Sequence, residues 1–146
     1  MLGSTLVVYS GVTSDSSPAN TPKRLRTIGT FTKAAAASKI ELIWNSHATA
    51  NLTATASLGF CNFHIRVDDV QSPATDVCGP NAGCLGAIVG GGSSSTGLQI
   101  PVSTGDIFTG LAAGPHTLSL WERGGGVSSC VENPGNYTRS VVVKEF

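Results

Sequence analysis

Between residues 60 and 68 the chain alternates between apolar and polar positions. Cys61, Phe63, Ile65 and Val67 fall on one side, and Asn62, His64, Arg66 and Asp68 on the other. Successive side chains of a strand point to opposite faces, so this period of two predicts a strand. One of its faces belongs to a core, and the other is wet or part of a polar interface. The pattern returns from His116 to Glu122, where Leu118 and Leu120 turn inward and Trp121 lies on the opposite face. Tyr137 to Phe146 contains Val141, Val142 and Val143 in a row, as expected of a strand buried on both faces. Lys23–Lys33 and Lys39–Trp44 also read as strands, the latter with Ile40, Leu42 and Trp44 on one side. Thr5–Tyr9, Leu52–Leu58, Leu85–Val89, Leu98–Val102 and Ile107–Leu111 are weaker segments of the same kind.

Turn signals separate these segments: Ser16-Ser17-Pro18-Ala19-Asn20, Ser72-Pro73, Gly90 to Ser95, Ala113-Gly114-Pro115 and Asn133-Pro134-Gly135-Asn136. The alanine run from Lys33 to Ser38 is far below the roughly 12 residues that an isolated helix needs, so it predicts a turn or a single helical turn. Roughly eight to ten short strands at this spacing predict an all-β, antiparallel jelly-roll sandwich. The 146 residues suit a single domain, with 1–24 an N-terminal strand or arm and loop and 25–146 the jelly roll.

Composition narrows the function more than the fold. The formal net charge is zero and charged residues make up only 12% of the chain. The sole basic cluster, Lys23-Arg24-Leu25-Arg26, reads as an exposed entry into a strand, so nucleic acid is not an expected partner. No stretch approaches 18 apolar residues, and the amino end has no basic region before its short apolar run, so no membrane partner is expected. Low charge with a mean hydropathy of +0.15 implies that part of the surface is covered by other copies.

Four cysteines stand at 61, 78, 84 and 130, none in a C-x-x-C pair. The segment Cys78-Gly-Pro-Asn-Ala-Gly-Cys84 reads as a loop closed on itself, which leaves Cys61 for Cys130. All three connectivities, and free buried thiols, remain open at this level. The histidines at 47, 64 and 116 have no zinc-site spacing, and no G-x-S-x-G elbow is present. His64 reads as solvated or interfacial, and His116 as part of a turn at a strand start. Gly90 to Ser95 lacks the G-K-[ST] ending of a phosphate loop and, with Gly124-Gly125-Gly126, predicts a loop. Asp68, Asp69 and Asp76 are the only clustered carboxylates and the only candidate Ca²⁺ ligands, too few without other oxygens. No enzyme activity, cofactor or metal is therefore expected.

Several segments occur in a familiar order. Gly29-Thr30-Phe31-Thr32-Lys33, Ser38-Lys39-Ile40-Glu41-Leu42 and Cys61 to Asp68 are followed by Gly110 to Trp121, Asn133-Pro134-Gly135-Asn136 and Val141 to Phe146. This series, over residues 25–146, resembles the carboxy-terminal domains of collagen-like and collagen-triple-helix-repeat proteins, which are similar to the C1q and tumour-necrosis-factor jelly rolls. The departures are the missing Gly-X-Y repeat and a first 24 residues that match nothing. The resemblance implies a C1q/TNF-like homotrimer, and phages carry similar domains as fibre tips and capsid decorations. The expectation is thus a structural module outside a larger assembly, a virion decoration, fibre component or collagen-like surface fibre, with a capsid or fibre protein as partner. Its location would be a virion or the extracellular face of a cell. Trp121 and Val142 are the expected interface residues. The alternative is a tip domain that binds cell-surface carbohydrate or a receptor through loops at 71–97 and 123–136.

Overall fold

A computed structural model of the chain describes residues 3–53, 58–70, 85–90 and 100–146. Among the described residues ten strands follow one another: β1 Gly3–Tyr9, β2 Thr13–Asp15, β3 Lys23–Lys33, β4 Ile40–Leu52, β5 Leu58–Val67, β6 Leu85–Gly90, β7 Ile100–Phe108, β8 Gly114–Gly125, β9 Val127–Glu132 and β10 Arg139–Glu145. All the pairings are antiparallel, and no helix occurs among the described residues.

The long β4 organises the first sheet. Along one edge it pairs with β7, from Ile40↔Phe108 to Ala48↔Ile100. Along the other it pairs first with β10, from Ile40 to Asn45, and then with β9, from Ala48 to Leu52. β1 continues outward from β10 and β2 from β9. The second sheet has the order β3-β8-β5-β6. With β1/β2 and β10/β9 as continuous columns, the orders are 1-10-4-7 and 3-8-5-6. Successive columns alternate between sheets except at β5 and β6, which pair within the second sheet. This is the two-Greek-key order of a jelly roll, so the all-β jelly-roll sandwich expected from the strand pattern is the fold.

Inner faces follow the alternation. Cys61, Phe63, Ile65 and Val67 of β5, Leu118 and Leu120 of β8, and Ile40, Leu42 and Trp44 of β4 are all buried. β4 nevertheless runs eight residues beyond Trp44, where only Lys39–Trp44 was expected. Ser46, Ala48 and Ala50 continue its inner face, and small residues hide the period of two although Ala48 and Ala50 are fully enclosed. Ile100–Val102 and Ile107–Phe108, from two of the weaker segments, belong to one strand, β7, while Leu98 and Gln99 lie outside the described residues. The segment 123–136, expected as a loop, is the end of β8, all of β9 and a short turn. Gly124 is in β8 because the strand passes against the opposite layer: a Cβ there would lie 2.6 Å from Pro18 Cβ and 2.9 Å from Cys130 Sγ. Gly126, at φ 68°, makes the turn into β9.

The alanine run forms a turn held from both sides. Glu145 accepts the backbone N–H groups of Ala34 and Ala35, and the buried Lys33 ammonium donates to the carbonyls of Ala35, Ala36 and Leu111. Residues 3–15 are built into the first sheet through β1 and β2.

The core is polar at one end. Trp44 Nε1 donates to Tyr9 Oη at 2.6 Å, and Tyr9 donates to the fully buried Glu132 at 2.9 Å, which also accepts from Ser46. Burial pushes Glu132 above the ordinary carboxylate range, against the hydrogen bonds from Ser46 and Tyr9 and the charges of Arg26 and Arg139. Beside it Cys61 of the second sheet is bonded to Cys130 of the first, with Cα atoms 5.6 Å apart. Cys78 and Cys84 lie outside the described residues.

That cross-link closes a span of 69 residues. On the chain-entropy account, Cys61→Ala with Cys130→Ala should lower the unfolding free energy by about 4 kcal/mol. Urea melts of the oxidised wild type and the double variant measure this, and a loss below about 1 kcal/mol would refute the account.

Candidate functional site

The outer face of the first sheet is where apolar residues meet water. Leu6 of β1, Val142 of β10 and Ile43 of β4 are register neighbours and form one row across three strands. Val142 and Ile43 are half-buried, whereas Leu6 is 60% exposed. Val8, 55% exposed, lies two residues along β1 on the same face. Ile107 of β7 is also exposed and is the register partner of Glu41, whose carboxylate pairs with Lys144 at 3.4 Å. The patch is thus an apolar row bordered on one side by an ion pair. Its signal in the sequence is the unbroken run Leu6-Val7-Val8, in which only Val7 can face the core.

Val142 sits in this patch, but Trp121 does not. Trp121 is on the outer face of the second sheet, so the two expected interface residues belong to opposite sides of the sandwich. Trp121 was expected to need cover from a neighbouring subunit, and much of that cover comes from its own chain. The Arg66 guanidinium lies 3.7 Å from the ring centroid and the His64 ring stacks alongside at 6.4 Å. Trp121 Nε1 donates to Ser119, Ser119 donates to Asp69, and Arg24 donates to Asp69 at 2.8 Å. His64, expected as solvated or interfacial, is only 3% exposed within this stack and accepts from Arg66 Nε at 3.0 Å.

Asp68 and Asp69 form a tight bend at φ 50° and 61°, a conformation that Asp tolerates better than most residues. Asp68 accepts the Thr117 N–H at 2.8 Å and pairs with His116 Nδ1 at 2.6 Å, so it pins the end of β5 to the start of β8. The carboxylates of Asp68 and Asp69 are thus turned onto protein donors. Asp76, the third candidate Ca²⁺ ligand, is outside the described residues. Among the described residues no group of three or more His, Cys, Asp or Glu is arranged to hold a metal.

Besides Glu132 and Glu145, two more interior carboxyl groups escaped the sequence pattern. Glu122 continues the inward series Leu118, Leu120 and is fully buried, and Asp15 of β2, 5% exposed, faces it from the other sheet. Lys23 caps Asp15 with 2.9 Å bonds to both oxygens. Burial, then Asp15, pushes the Glu122 carboxyl up to about 8. Asp15 is held below the ordinary range by the Ser17 N–H and Lys23, which outweigh its burial.

No family model matches this chain, and no curated protein does. It is similar to the crystal structure of the infectious bursal disease virus VP2 subviral particle at 10% identity and a TM-score of 0.37. That match covers 97% of this chain and 36% of the other, so the chain spans about a third of it. It is also similar to desmodium yellow mottle tymovirus at 11% identity and a TM-score of 0.31, over 98% of this chain and 88% of that one.

The two histidines of the second sheet should titrate in opposite directions. Burial, then Arg66, pushes His64 down to about 4. Burial also opposes the charged form of His116, but the bonds to Asp68 and the Ala112 carbonyl carry it above the ordinary histidine value. The stability from charged His116 is full below pH 6.5 and is lost as pH rises through its raised folded value. His64 acts the other way, and its contribution is lost as pH falls from 6.5 towards about 4. Ring-proton NMR titration checks both, and a His64 midpoint near 6.5 would contradict the buried stack.

Proposed function

We propose that this protein is a non-enzymatic structural module, a jelly roll that assembles as a homotrimer on the exterior of a larger assembly such as a virion or surface fibre. The observation that carries this reading is the apolar row Leu6–Val142–Ile43, with Val8 and Ile107 beside it, on the outer face of the first sheet. Covering an exposed leucine contributes about 1.5–3 kcal/mol, and a cyclic assembly repeats that gain at every interface. Zero net charge with few ionic groups lowers the cost of bringing identical copies together. The resemblance to C1q-like domains favours three copies over two.

In this assembly the second sheet's outer face, already closed by the Trp121 stack, is turned outward or towards the capsid or fibre protein. The mechanism is burial and rigidity, with no bond made or broken. Size exclusion with light scattering should give about 45 kDa, three chains of 14.9 kDa. Leu6→Asp, on a side chain already 60% exposed, should leave folding intact and shift the species to monomer at micromolar concentration. A monomeric wild type, or a trimer indifferent to Leu6→Asp and Val8→Asp together, would defeat the proposal.

A second reading, a carbohydrate-binding tip, is favoured by one observation. Tyr137 is 59% exposed at the turn after β9, with the Arg139 guanidinium 5.2 Å from its ring centroid. An exposed ring with a polar neighbour suits the apolar face of a sugar. On that reading Tyr137→Ala should abolish retention on a glycan array without altering the oligomer. Wild type that binds no glycan would eliminate it.

A further inference from the structure

Two segments, Asn51-Leu52-Thr53 and Asn136-Tyr137-Thr138, carry an asparagine with a threonine two residues later and no proline between. That spacing is the acceptor pattern for an N-linked oligosaccharide, and it has meaning only where the asparagine stands at the solvent. The fold separates the two.

Asn51 lies inside β4 and is half-buried. Its side-chain nitrogen, the atom that would carry the sugar, donates to Ser129 Oγ at 2.7 Å. Ser129 is also its register partner on β9, and the Asn51 carbonyl accepts from Ser128 Oγ. A sugar at this position would have to enter the β4–β9 ladder.

Asn136 is placed differently. It belongs to the turn that joins β9 to β10, where Gly135, Asn136, Tyr137 and Thr138 are all exposed. Its N–H closes the turn on the Asn133 carbonyl at 2.9 Å, and its φ of 52° is one that asparagine adopts more readily than most residues. Among the described residues nothing hydrogen-bonds its side-chain amide. The fully buried Asn133 makes the turn rigid. Its Oδ1 accepts the Tyr137 N–H at 3.0 Å and Arg139 Nε at 3.1 Å, and its Nδ2 donates to the Tyr137 carbonyl at 2.7 Å. Both backbone groups of Tyr137 are thereby held to the protein, and Asn136 and Thr138 stand on either side of it in the solvent. The Cys61–Cys130 bond adds a second observation, since disulfides persist in the exported proteins to which the acceptor pattern applies.

We propose that Asn136 is an N-glycosylation site, the acceptor of an oligosaccharide delivered on a polyprenyl-diphosphate carrier. In the transfer Asn136 Nδ2 bonds to the anomeric carbon and gives up one proton to solvent. The bond from that carbon to the diphosphate oxygen breaks, and the carrier leaves with the electron pair. The turn enters β10 at Arg139, three residues before Val142, so the glycan and the apolar row occupy different parts of the surface. The proposal stands whether or not the protein is a trimer.

The test is expression of the full chain behind a cleavable export signal in a eukaryotic secretory line. The secreted protein is treated with peptide N-glycosidase in heavy-oxygen water and mapped by mass spectrometry. The heavy label should appear at residue 136 and not at residue 51. The electrophoretic shift produced by the glycosidase should vanish in Thr138→Ala and in Asn136→Asp, which keeps a residue that tolerates the φ of the turn. It should persist in Thr138→Ser and Asn51→Gln. Light scattering of Asn136→Asp should match that of the deglycosylated wild type, so loss of the site is distinguished from loss of the assembly. A secreted wild type with Asn136 unmodified, or with its sugar on Asn51 instead, overturns the proposal. If export fails, the same mapping is applied to chain retained in the cell, where an unmodified Asn136 overturns it equally.

Discussion

β4 is paired along both edges, and the positions of most functional residues depend on that double constraint. Its pairing with β10 sets the register of β1, which places Leu6 beside Val142. Its pairing with β9 sets the register of β2, which places Asp15 beside Cys130. A slip of one residue in either ladder would move every inward side chain outward. The cost would be prohibitive, since Trp44, Ile40 and Leu42 would then leave the core. The apolar outer row and the polar inner end are two consequences of one register.

The polar end obeys the rule that a buried charge needs partners or must be neutral. Glu132 is served by Tyr9, Ser46 and the approach of Arg26 at 3.7 Å. Asp15 is served by Lys23 and a backbone N–H. Glu122 has no hydrogen-bond partner on either oxygen, and its burial, then Asp15, pushes its carboxyl up to about 8. The disulfide ties the two sheets together at this end of the sandwich, where apolar contact between layers is replaced by ionisable groups.

The two outer faces differ in kind. That of the second sheet satisfies itself, with Arg66, His64, Ser119 and Asp69 closing around Trp121. That of the first sheet does not, because valine and leucine carry no group with which to cap one another against water. An uncapped apolar row gains by meeting another such row. This asymmetry leaves the exposed apolar row on the first sheet, not the second.

Much of the architecture was legible in the chain. The alternation through Cys61–Val67 and Leu118–Leu120 implied strands with one core face, and the turn signals implied a sandwich. Local patterns are read this way because the period of two is a property of the backbone itself. Three things were decided only by tertiary contact. Ala48 and Ala50 look unlike strand core until β7 and β9 enclose them. His64 and Trp121 look like an open polar face until Arg66 folds over the ring. Glu122 looks like the wet end of a strand until Asp15 arrives from the other sheet. For the alanines, Trp121 and Glu122 the deciding neighbour is far away in sequence. Alternation states that a residue faces one side, but only the packed layers determine whether that side holds water, a ring or a second carboxylate.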